Sequence, residues 1–264
     1  MIDTHTHLYM DTFAADDTDG CAHAVDRAVE AGVEMMILPS VDRESAIEAA
    51  RLHSARPGHV RTAMGLHPTE VGPDWQEELA DIIRTLEPTS PVAIGEVGID
   101  LYWDQSNLDL QKAAFTAQMI IAAERGLPVI IHCREGLEEC LECISRAKAS
   151  IGNRPMPTLI FHSFTGSPAD VRRIREVCDP YFGINGVVTF KNSGELPEAV
   201  KEIGAGRLLL ETDSPYLSPV PKRGRRNESS HLPYINDKIA EILGLTPEET
   251  ERTTTLNANL IFSI

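Results

Sequence analysis

Basic residues are scarce in this sequence, and their scarcity limits the partners that its surface can attract. The chain has 264 residues, with 24 lysines and arginines against 40 aspartates and glutamates, so its formal net charge is −16. Such a surface repels a polyanion at long range, because like charges oppose approach. A polyanionic ligand would therefore have to be held by local basic groups and by bound cations.

Features that would place the chain in a membrane or outside the cell are missing or sparse. There is no run of eighteen or more apolar residues, which argues against a transmembrane helix. The first residues lack the pattern of a signal peptide, and His5 and His7 fall where such a peptide is apolar. The five cysteines are odd in number and scattered, so we expect reduced thiols and a soluble cytoplasmic protein. Cys140-x-x-Cys143 has no second pair, and we assign it no function.

Short apolar runs alternate with helix-like stretches along the whole chain. Several runs, such as Pro128-Val129-Ile130-Ile131, are continuous, which is typical of parallel strands buried on both faces. The predicted strands are residues 1–6, 33–39, 60–66, 91–97, 128–132, 158–162, 181–186 and 207–212. The predicted helices are residues 20–32, 43–56, 74–87, 107–126, 135–149, 168–178, 195–203, 232–243 and 247–262.

Eight strands that alternate with helices predict an α/β fold of the (β/α)8 TIM-barrel type. A single domain over residues 1–264 fits the usual barrel size of about 250 residues. An open doubly wound sheet is the alternative, but no GxGxxG motif follows the first strand to support a nucleotide-binding version.

The first strand carries a His-x-His pattern. Side chains alternate along a strand, so Asp3, His5 and His7 are predicted to point the same way. Two neutral imidazoles at this spacing can share one divalent cation. Asp3 is predicted to orient a histidine rather than to bind metal itself. On its own, this pattern is a weak indication of a metal site.

Four later strands also end in a potential ligand. Glu96 closes the fourth strand, where burial is costly for a carboxylate that is neither paired nor bound to metal. His132 and His162 follow the apolar runs of strands five and six, and each alone could be a structural histidine of the core. Asp213 follows strand eight, whereas Glu211 is predicted to face the helices.

The predicted strand ends therefore bring together four imidazoles and two carboxylates, at the face where barrel active sites lie. This set is too large for one tetrahedral ion and suits two. Two cations about 3.5–4 Å apart could hold the attacking and leaving oxygens of a phosphoryl displacement. The ligand types are compatible with Mg²⁺ or Mn²⁺ and also with Zn²⁺ or iron.

Further residues are candidates for binding a substrate. His67 ends strand three and is predicted to contact the substrate or a metal-binding side chain. Arg134 could hold a phosphate as a bidentate donor, with a surface ion pair as the alternative. Residues 214–230 are rich in proline and predict a loop directly after Asp213. Its basic residues form the densest positive cluster of the chain, and we predict that they bind substrate: Lys222, Arg223, Arg225 and Arg226.

Five motifs, in this order, resemble the TatD-type metal-dependent deoxyribonucleases, which belong to the amidohydrolase-like barrels. They are His5-x-His7, Gly95-Glu96-x-Gly98-x-Asp100, Ile131-His132-x-Arg134, Phe161-His162-x-Phe164-x-Gly166 and Glu211-Thr212-Asp213-x-Pro215-Tyr216-Leu217. The resemblance spans nearly the whole chain. It implies a (β/α)8 barrel that binds two divalent ions and hydrolyses DNA phosphodiester bonds, often stepwise from the 3′ end.

The resemblance also implies roles for individual residues. It implies that Glu96 bridges the two ions and that Asp213 accepts a proton from the attacking water. The implied substrates are DNA ends or single-stranded DNA, and no organic cofactor is implied. The family commonly has Arg-Asn-Glu-Pro after the basic loop, whereas Ser229 replaces the proline here. The implied metal ligands are His5, His7, Glu96, His132, His162 and Asp213.

Two other kinds of function stay open at this point. One is a hydrolase that uses the same site on a small cyclic amide, an ester or an aminoacyl bond on RNA. Barrels that open cyclic amides often bridge their metals with a modified lysine on strand four, and this chain has Glu96 there. The other is a metal-holding scaffold without catalysis. The sequence leaves open the DNA or RNA preference, the polarity of digestion and the oligomeric state.

Overall fold

Eight parallel strands form one sheet in the computed structural model, which describes residues 1–15, 19–103 and 105–264. Each strand pairs with the next one along the chain, so the order in the sheet is the order in the sequence. The strands are β1 (Ile2–Asp3), β2 (Met35–Pro39), β3 (Val60–Met64), β4 (Ala93–Asp100), β5 (Val129–Arg134), β6 (Leu159–Phe161), β7 (Tyr181–Ile184) and β8 (Leu208–Leu210).

At least one helix lies in every connection between consecutive strands, and two more follow β8. The helices are α1 (Asp11–Ala14), α2 (Gly20–Glu30), α3 (Arg43–Ala55), α4 (Trp75–Leu86), α5 (Leu108–Arg125), α6 (Leu137–Ile151), α7 (Pro168–Val177), α8 (Leu196–Ile203), α9 (Leu232–Leu243) and α10 (Pro247–Phe262). Apart from the short α1, the sequence predicts each of them to within two residues at either end. In the described ranges, none of these helices combines the length and apolar character needed to cross a bilayer.

The sheet closes into a barrel where the chain after β1 meets β8 and its continuation. The backbone N–H and the hydroxyl of Thr4 donate to the carbonyl oxygen of Leu210 at 3.0 and 3.1 Å. Further along, the N–H of Asp213 donates to the His5 carbonyl at 2.9 Å. Because first and last strands are joined in this way, the fold is the (β/α)8 barrel that the sequence predicts, and all the carboxyl strand ends meet at one mouth.

The barrel interior is filled by one apolar side chain from each strand. The helix α10 closes the opposite end, where its Ala258 and Phe262 pack against the interior cluster. Its Glu251 also contacts the terminal ammonium of Met1, just before β1, at 3.3 Å. This interior is a packed core and not a pore, as expected for such barrels. Its cluster contains Ile2, Ile37, Ala63, Ala93, Ile130, Ile160, Tyr181 and Leu209, together with Val92 and with Ala258 and Phe262 of α10.

The other face of each strand packs against the surrounding helices. On β2, for example, Ile37 belongs to the interior cluster, while Met36 and Leu38 belong to the larger cluster shared with the helices. Both faces of the strand are therefore buried, which explains why the strands are continuous apolar runs in the sequence.

A matched pair of leucines tests this assignment. Leu209 of β8 is 0% exposed, whereas Leu260 on α10 is 74% exposed. Leu209→Ala is expected to lower the free energy of unfolding by about 2–5 kcal/mol, because it removes buried contacts and leaves a cavity. Leu260→Ala is expected to change it by less than about 0.5 kcal/mol. Urea unfolding followed by circular dichroism measures both, and equal losses would contradict the interior position of Leu209.

Candidate metal centre

The six side chains that the sequence proposes as metal ligands converge at the carboxyl mouth of the barrel. His5 is fully buried, and the other five line a cavity of about 880 Å³. They come from five separate parts of the barrel: the segment after β1, then β4, β5, the residue after β6, and the segment after β8. The predicted convergence of these side chains is therefore found.

Glu96 lies at the centre of the cluster. Its Oε1 is 2.6 Å from Nε2 of His162 and 2.7 Å from Nδ1 of His132. Its Oε2 is 3.2 Å from Nε2 of His5 and 3.7 Å from Nε2 of His7. Each oxygen of one carboxylate therefore faces a different pair of imidazoles, which is the geometry that a carboxylate bridging two ions requires.

Asp213 completes one side of the centre. The Nε2 atoms of His5 and His7 are 3.2 Å apart, and Oδ1 of Asp213 lies 3.8 and 3.6 Å from them. Asp213 has a positive φ of 54°, a conformation that aspartate adopts more readily than most residues. This turn directs its carboxylate toward the two imidazoles, on the Oε2 side of Glu96.

His67 belongs to the other side of the centre. Its Nε2 lies 3.3 Å from Nδ1 of His132 and 3.5 Å from Oε1 of Glu96. Its Nδ1 is held by the hydroxyl of Thr69 at 2.7 Å. The sequence predicts that His67 contacts the substrate or a metal-binding side chain, and the structure shows the second kind of contact. His67, Glu96 and His132 form one possible group of metal ligands.

Glycines around Glu96 allow β4 and β5 to approach closely. A Cβ atom on Gly95 would lie 2.6 Å from Cβ of Ile130. One on Gly98 would lie 1.9 Å from the carbonyl oxygen of His132, and its φ of +149° also disfavours any other residue. These two glycines, which flank Glu96 in the sequence, bring its carboxylate within reach of the histidine on the neighbouring strand.

Glu211 lies inside the barrel, so the prediction that it faces the helices is wrong. It is fully buried beside His5 and His162, and its Oε1 accepts the N–H of Ser163 at 2.5 Å. Leu209 of β8 belongs to the interior cluster, and alternation along the strand and its continuation places Glu211, two residues later, on the same inward face.

Three buried polar atoms around Glu211 have no hydrogen-bond partner within the described part of the chain: Nδ1 of His5, Nδ1 of His162 and Oε2 of Glu211. Such atoms are rare, because each costs free energy when buried unpaired. Oε1 of Glu211 lies 3.7 Å from Nδ1 of His162. When Nε2 of a histidine binds a cation, its Nδ1 carries a proton that a carboxylate can accept. The three atoms therefore fit a centre in which His5 and His162 would bind metal through Nε2, whereas His132 turns its Nδ1 toward Glu96 and its Nε2 toward Asp100.

Within the described residues, the carboxylate of Asp3 accepts the backbone N–H of His5 at 3.4 Å but contacts no histidine ring, so the prediction that it orients a histidine ring is wrong. Its carboxylate accepts hydrogen bonds from the hydroxyls of Thr212 and Ser229, both at 2.6 Å. Strand pairing of β1 ends at Asp3, so the alternation of side chains does not continue to His5. Burial raises the pKa of Asp3 to about 7, against the hydrogen bonds from these two residues. Asp3 thus joins β1 to the chain after β8, and Ser229 supplies a hydroxyl where the family commonly has proline.

Asp100 belongs to the fourth-strand motif, but the sequence analysis assigns it no role. Its Oδ2 is 2.9 Å from Nε2 of His132, and its Oδ1 accepts the N–H groups of Tyr102 at 2.9 Å and Trp103 at 3.1 Å. The carboxylate therefore orients a candidate ligand and also shapes the chain that follows β4. Its place four residues after Glu96, on the same face of a strand that runs longer than predicted, is the signal that could have identified it.

Arg134 lies at the rim of the cavity. Its guanidinium carbon is 3.7 Å from the centre of the Tyr102 ring and 5.6 Å from that of Trp103. In residues 1–15, 19–103 and 105–264 it forms no ion pair, so the alternative of a surface ion pair is not what the structure contains. Its charge is therefore available at the mouth of the centre.

The basic residues of the 214–230 loop lie away from the walls of the cavity. In the described ranges, the cavity is lined by Asp213, Tyr216 and Leu217 from this region and by none of the four basic side chains. The guanidinium of Arg226 packs over the Phe13 ring at 4.4 Å and donates to the carbonyl of Thr12. Lys222 lies over Tyr234 and Arg223 over Phe190, while Arg225 is exposed.

The charges at the centre compensate one another. Burial opposes ionisation of Glu96, but the charges of His162, His5 and His67 hold its pKa well below the usual value. Burial would lower the pKa of His162, but the charge of Glu96 and hydrogen bonding with Glu211 and Glu96 hold it well above the usual value. A proton on His162 thus supplies positive charge at a position where a cation would otherwise do so.

A (β/α)8 barrel with a histidine and carboxylate cluster at its carboxyl mouth defines a class of metal-dependent hydrolases. Residues 2–263 match the family model described as TatD related DNase. The chain therefore belongs to the TatD-related DNase family and is a metal-dependent hydrolase.

The matches to individual relatives extend over nearly the full length of both chains. The chain is 37% identical over 265 residues to the uncharacterized metal-dependent hydrolase YabD of Bacillus subtilis, covering 100% of this chain and 99% of the relative. It is 35% identical over 271 residues to the 3′-5′ ssDNA/RNA exonuclease TatD of Klebsiella pneumoniae, covering 100% and 98%. The crystal structure of the TatD homolog YJJV of Escherichia coli superposes with a TM-score of 0.87 at 24% identity, covering 100% and 98%, and shows the same fold.

Cation binding is expected to release protons. The raised pKa of His162 means that a cation has to displace a proton from its imidazole near neutral pH, because a ligand imidazole must be neutral. Affinity for Mn²⁺ should therefore fall as the pH is lowered from 8 to about 6. Calorimetric titration with Mn²⁺ in two buffers of different ionisation enthalpy counts the released protons.

The variant Glu96→Gln should release fewer protons, because the charge of Glu96 is the main influence that raises the pKa of His162. Glu198→Gln, on the exposed side of α8, is the matched control and should behave as the unmodified chain. Mn²⁺ binding without proton release between pH 6 and 8 would contradict the charge assignment.

Proposed function

We propose that this chain is a phosphodiesterase that holds two divalent cations and removes nucleotides from DNA ends or from single-stranded DNA. Residues 1–264 would act as one catalytic domain, in the cytoplasm and without an organic cofactor. The observation that carries the proposal is the position of Glu96, whose two carboxylate oxygens face separate pairs of imidazoles. Relatives about 35% identical over their full length are named 3′-5′ ssDNA/RNA exonucleases, which supports nucleic acid as the substrate.

The donor set fits two cations. His5, His7 and Asp213 would hold one, His132 and His162 would hold the other, and Glu96 would bind both. His67 is close enough to Glu96 and His132 to contribute to the second position. When bound, the pair of cations would lower the pKa of a water molecule and neutralise charge that develops on a phosphate. The carboxylates suit Mg²⁺ or Mn²⁺, and the imidazoles also accept Zn²⁺.

Asp213 is proposed to accept the proton of the attacking water. Burial opposes its ionisation, but a hydrogen bond with His7 and the charges of His5 and His162 hold the pKa of Asp213 below its usual value. Its carboxylate is therefore ionised at neutral pH. Its side chain remains 14% exposed to the cavity, so a water molecule can reach it. Glu96 is proposed to fix the spacing of the two cations, and Arg134 to contact the bound strand at the rim.

Turnover of DNA tests the proposal directly. The chain is expected to shorten a 5′-labelled single-stranded oligonucleotide in the presence of Mg²⁺ or Mn²⁺ and to stop when EDTA is added. Asp213→Asn is expected to lower kcat by about 10²–10⁴-fold, because it removes the proton acceptor. Glu96→Gln should lower kcat at least as much and should also reduce the number of bound Mn²⁺ ions.

Two matched controls carry the same chemical changes at exposed positions away from the centre. Glu198→Gln and Asp237→Asn alter exposed carboxylates on α8 and α9, and they should retain full activity. Esters, lactones and aminoacyl-tRNA are assayed beside DNA and RNA. Turnover of one of these carbon esters without turnover of any nucleic acid would replace the phosphodiesterase proposal, and unchanged DNA cleavage in Glu96→Gln and Asp213→Asn would refute the residue roles.

A further inference from the structure

We propose that Trp103 and Arg134 form a stacking platform for an unpaired nucleobase at the mouth of the cavity, with Tyr102 as its support. The inference rests on the proposed function and deepens it, because it assigns a binding position for a base rather than for phosphate. The platform is defined here as the side chains of Tyr102, Trp103 and Arg134.

Exposure sets the platform apart from most large apolar side chains of the chain. Trp103 is 69% exposed and Tyr102 is 51% exposed, whereas Trp75, the other tryptophan, is only 8% exposed. Exposing an indole to water forgoes a large hydrophobic gain, so burial by a bound molecule is favourable. Trp103 and Arg134 also line the cavity that contains the metal centre.

The three side chains are already arranged for stacking. The guanidinium of Arg134 lies 3.7 Å over the Tyr102 ring, and the Tyr102 and Trp103 rings meet edge to face with centres 5.0 Å apart. One face of the planar guanidinium is thus covered, and its opposite face can receive a second planar group. Stacking of a base on an aromatic ring or on a guanidinium is the usual contact of proteins with single strands.

Asp100 ties the platform to the metal centre. One oxygen of its carboxylate contacts Nε2 of His132, and the other accepts the backbone N–H groups of Tyr102 and Trp103. Arg134 is two residues from His132 on β5, and its carbonyl accepts the N–H of Leu101 at 2.9 Å. The platform is therefore fixed relative to the candidate ligands and does not rest on a separate element.

Charge also favours a nucleotide as the occupant. The net charge of −16 opposes the approach of a polyanion at long range, so a nucleotide has to be attracted by local positive charge. The guanidinium of Arg134 supplies such a charge at the rim, where it is exposed and lines the cavity. A base stacked here would have its phosphates beside a cation and near the metal centre. A base within a duplex is already stacked on its neighbours, so the platform selects unpaired nucleotides of DNA or RNA.

Tryptophan fluorescence measures the stacking separately from catalysis. Trp75→Phe leaves Trp103 as the only tryptophan. A phosphorothioate single strand, which resists cleavage, is expected to quench its emission. A strand of equal length with abasic sugars carries the same backbone without bases and should not quench it. No quenching by the base-containing DNA or RNA strand, or equal quenching by the abasic strand, would overturn the inference.

Variants of the platform provide a second measurement. Trp103→Ala is expected to weaken binding of the base-containing strand by about ten- to a hundredfold, to a value near that of the abasic strand. Trp103→Phe should restore most of the affinity, because it keeps an aromatic face, and Leu260→Ala should leave it unchanged. Circular dichroism checks that each variant is folded.

Cleavage separates this inference from the proposed function. The two strands are made for this assay with ordinary phosphodiester bonds, which can be cleaved. Trp103→Ala should raise KM and so lower kcat/KM for the base-containing strand, and it should leave kcat/KM for the abasic strand unchanged. If the unmodified chain cleaves both strands and Trp103→Ala cleaves them with the same constants, the platform is refuted while the proposed function stands. If neither strand is cleaved but quenching follows the pattern above, the proposed function fails and the platform stands.

Discussion

One buried carboxylate determines most of what surrounds it. Glu96 is 3% exposed, and a charge in that position needs compensation from every direction, because a buried anion without partners is costly. The imidazoles that supply this compensation come from strands that are far apart in sequence. His132 of β5 can approach because glycines on either side of Glu96 let β4 pass close to β5. Compensation of the charge on Glu96 therefore depends on the close approach of β4 to β5.

The remainder of the barrel keeps these groups in place. The interior cluster below them is apolar and closed by α10, so the polar side chains occupy only the carboxyl mouth. Glu211 lies at the boundary between the two regions, with one oxygen held by Ser163 and the other unpaired. Asp3, Thr212 and Ser229 join the beginning of the barrel to its end just outside the candidate ligands. The short segments after β1 and β8 thus carry candidate metal ligands and also form the hydrogen bonds that close the barrel.

The sequence predicts the barrel and the six candidate ligands because both follow from simple regularities. Apolar runs separated by amphipathic stretches identify strands and helices, and a polar residue at the end of a run identifies the mouth. The errors arise where regularity fails or is misapplied. Pairing of β1 stops at Asp3, so alternation cannot place its carboxylate, whereas Glu211 lies two residues after Leu209 and shares its inward face. The role of Asp100 depends on how far β4 continues. The basic loop is a different case: Lys222, Arg223 and Arg226 lie over Tyr234, Phe190 and Phe13, contacts that no local pattern encodes, and their predicted binding of substrate stays a prediction.

The helix α10 covers the amino-terminal end of the barrel, and this limits how a ligand can reach the centre. Because the interior is packed and α10 covers its far end, a flexible chain bound at the centre cannot thread through the barrel and emerge behind it. Whatever binds at the centre therefore has to enter and leave through the carboxyl mouth of the barrel.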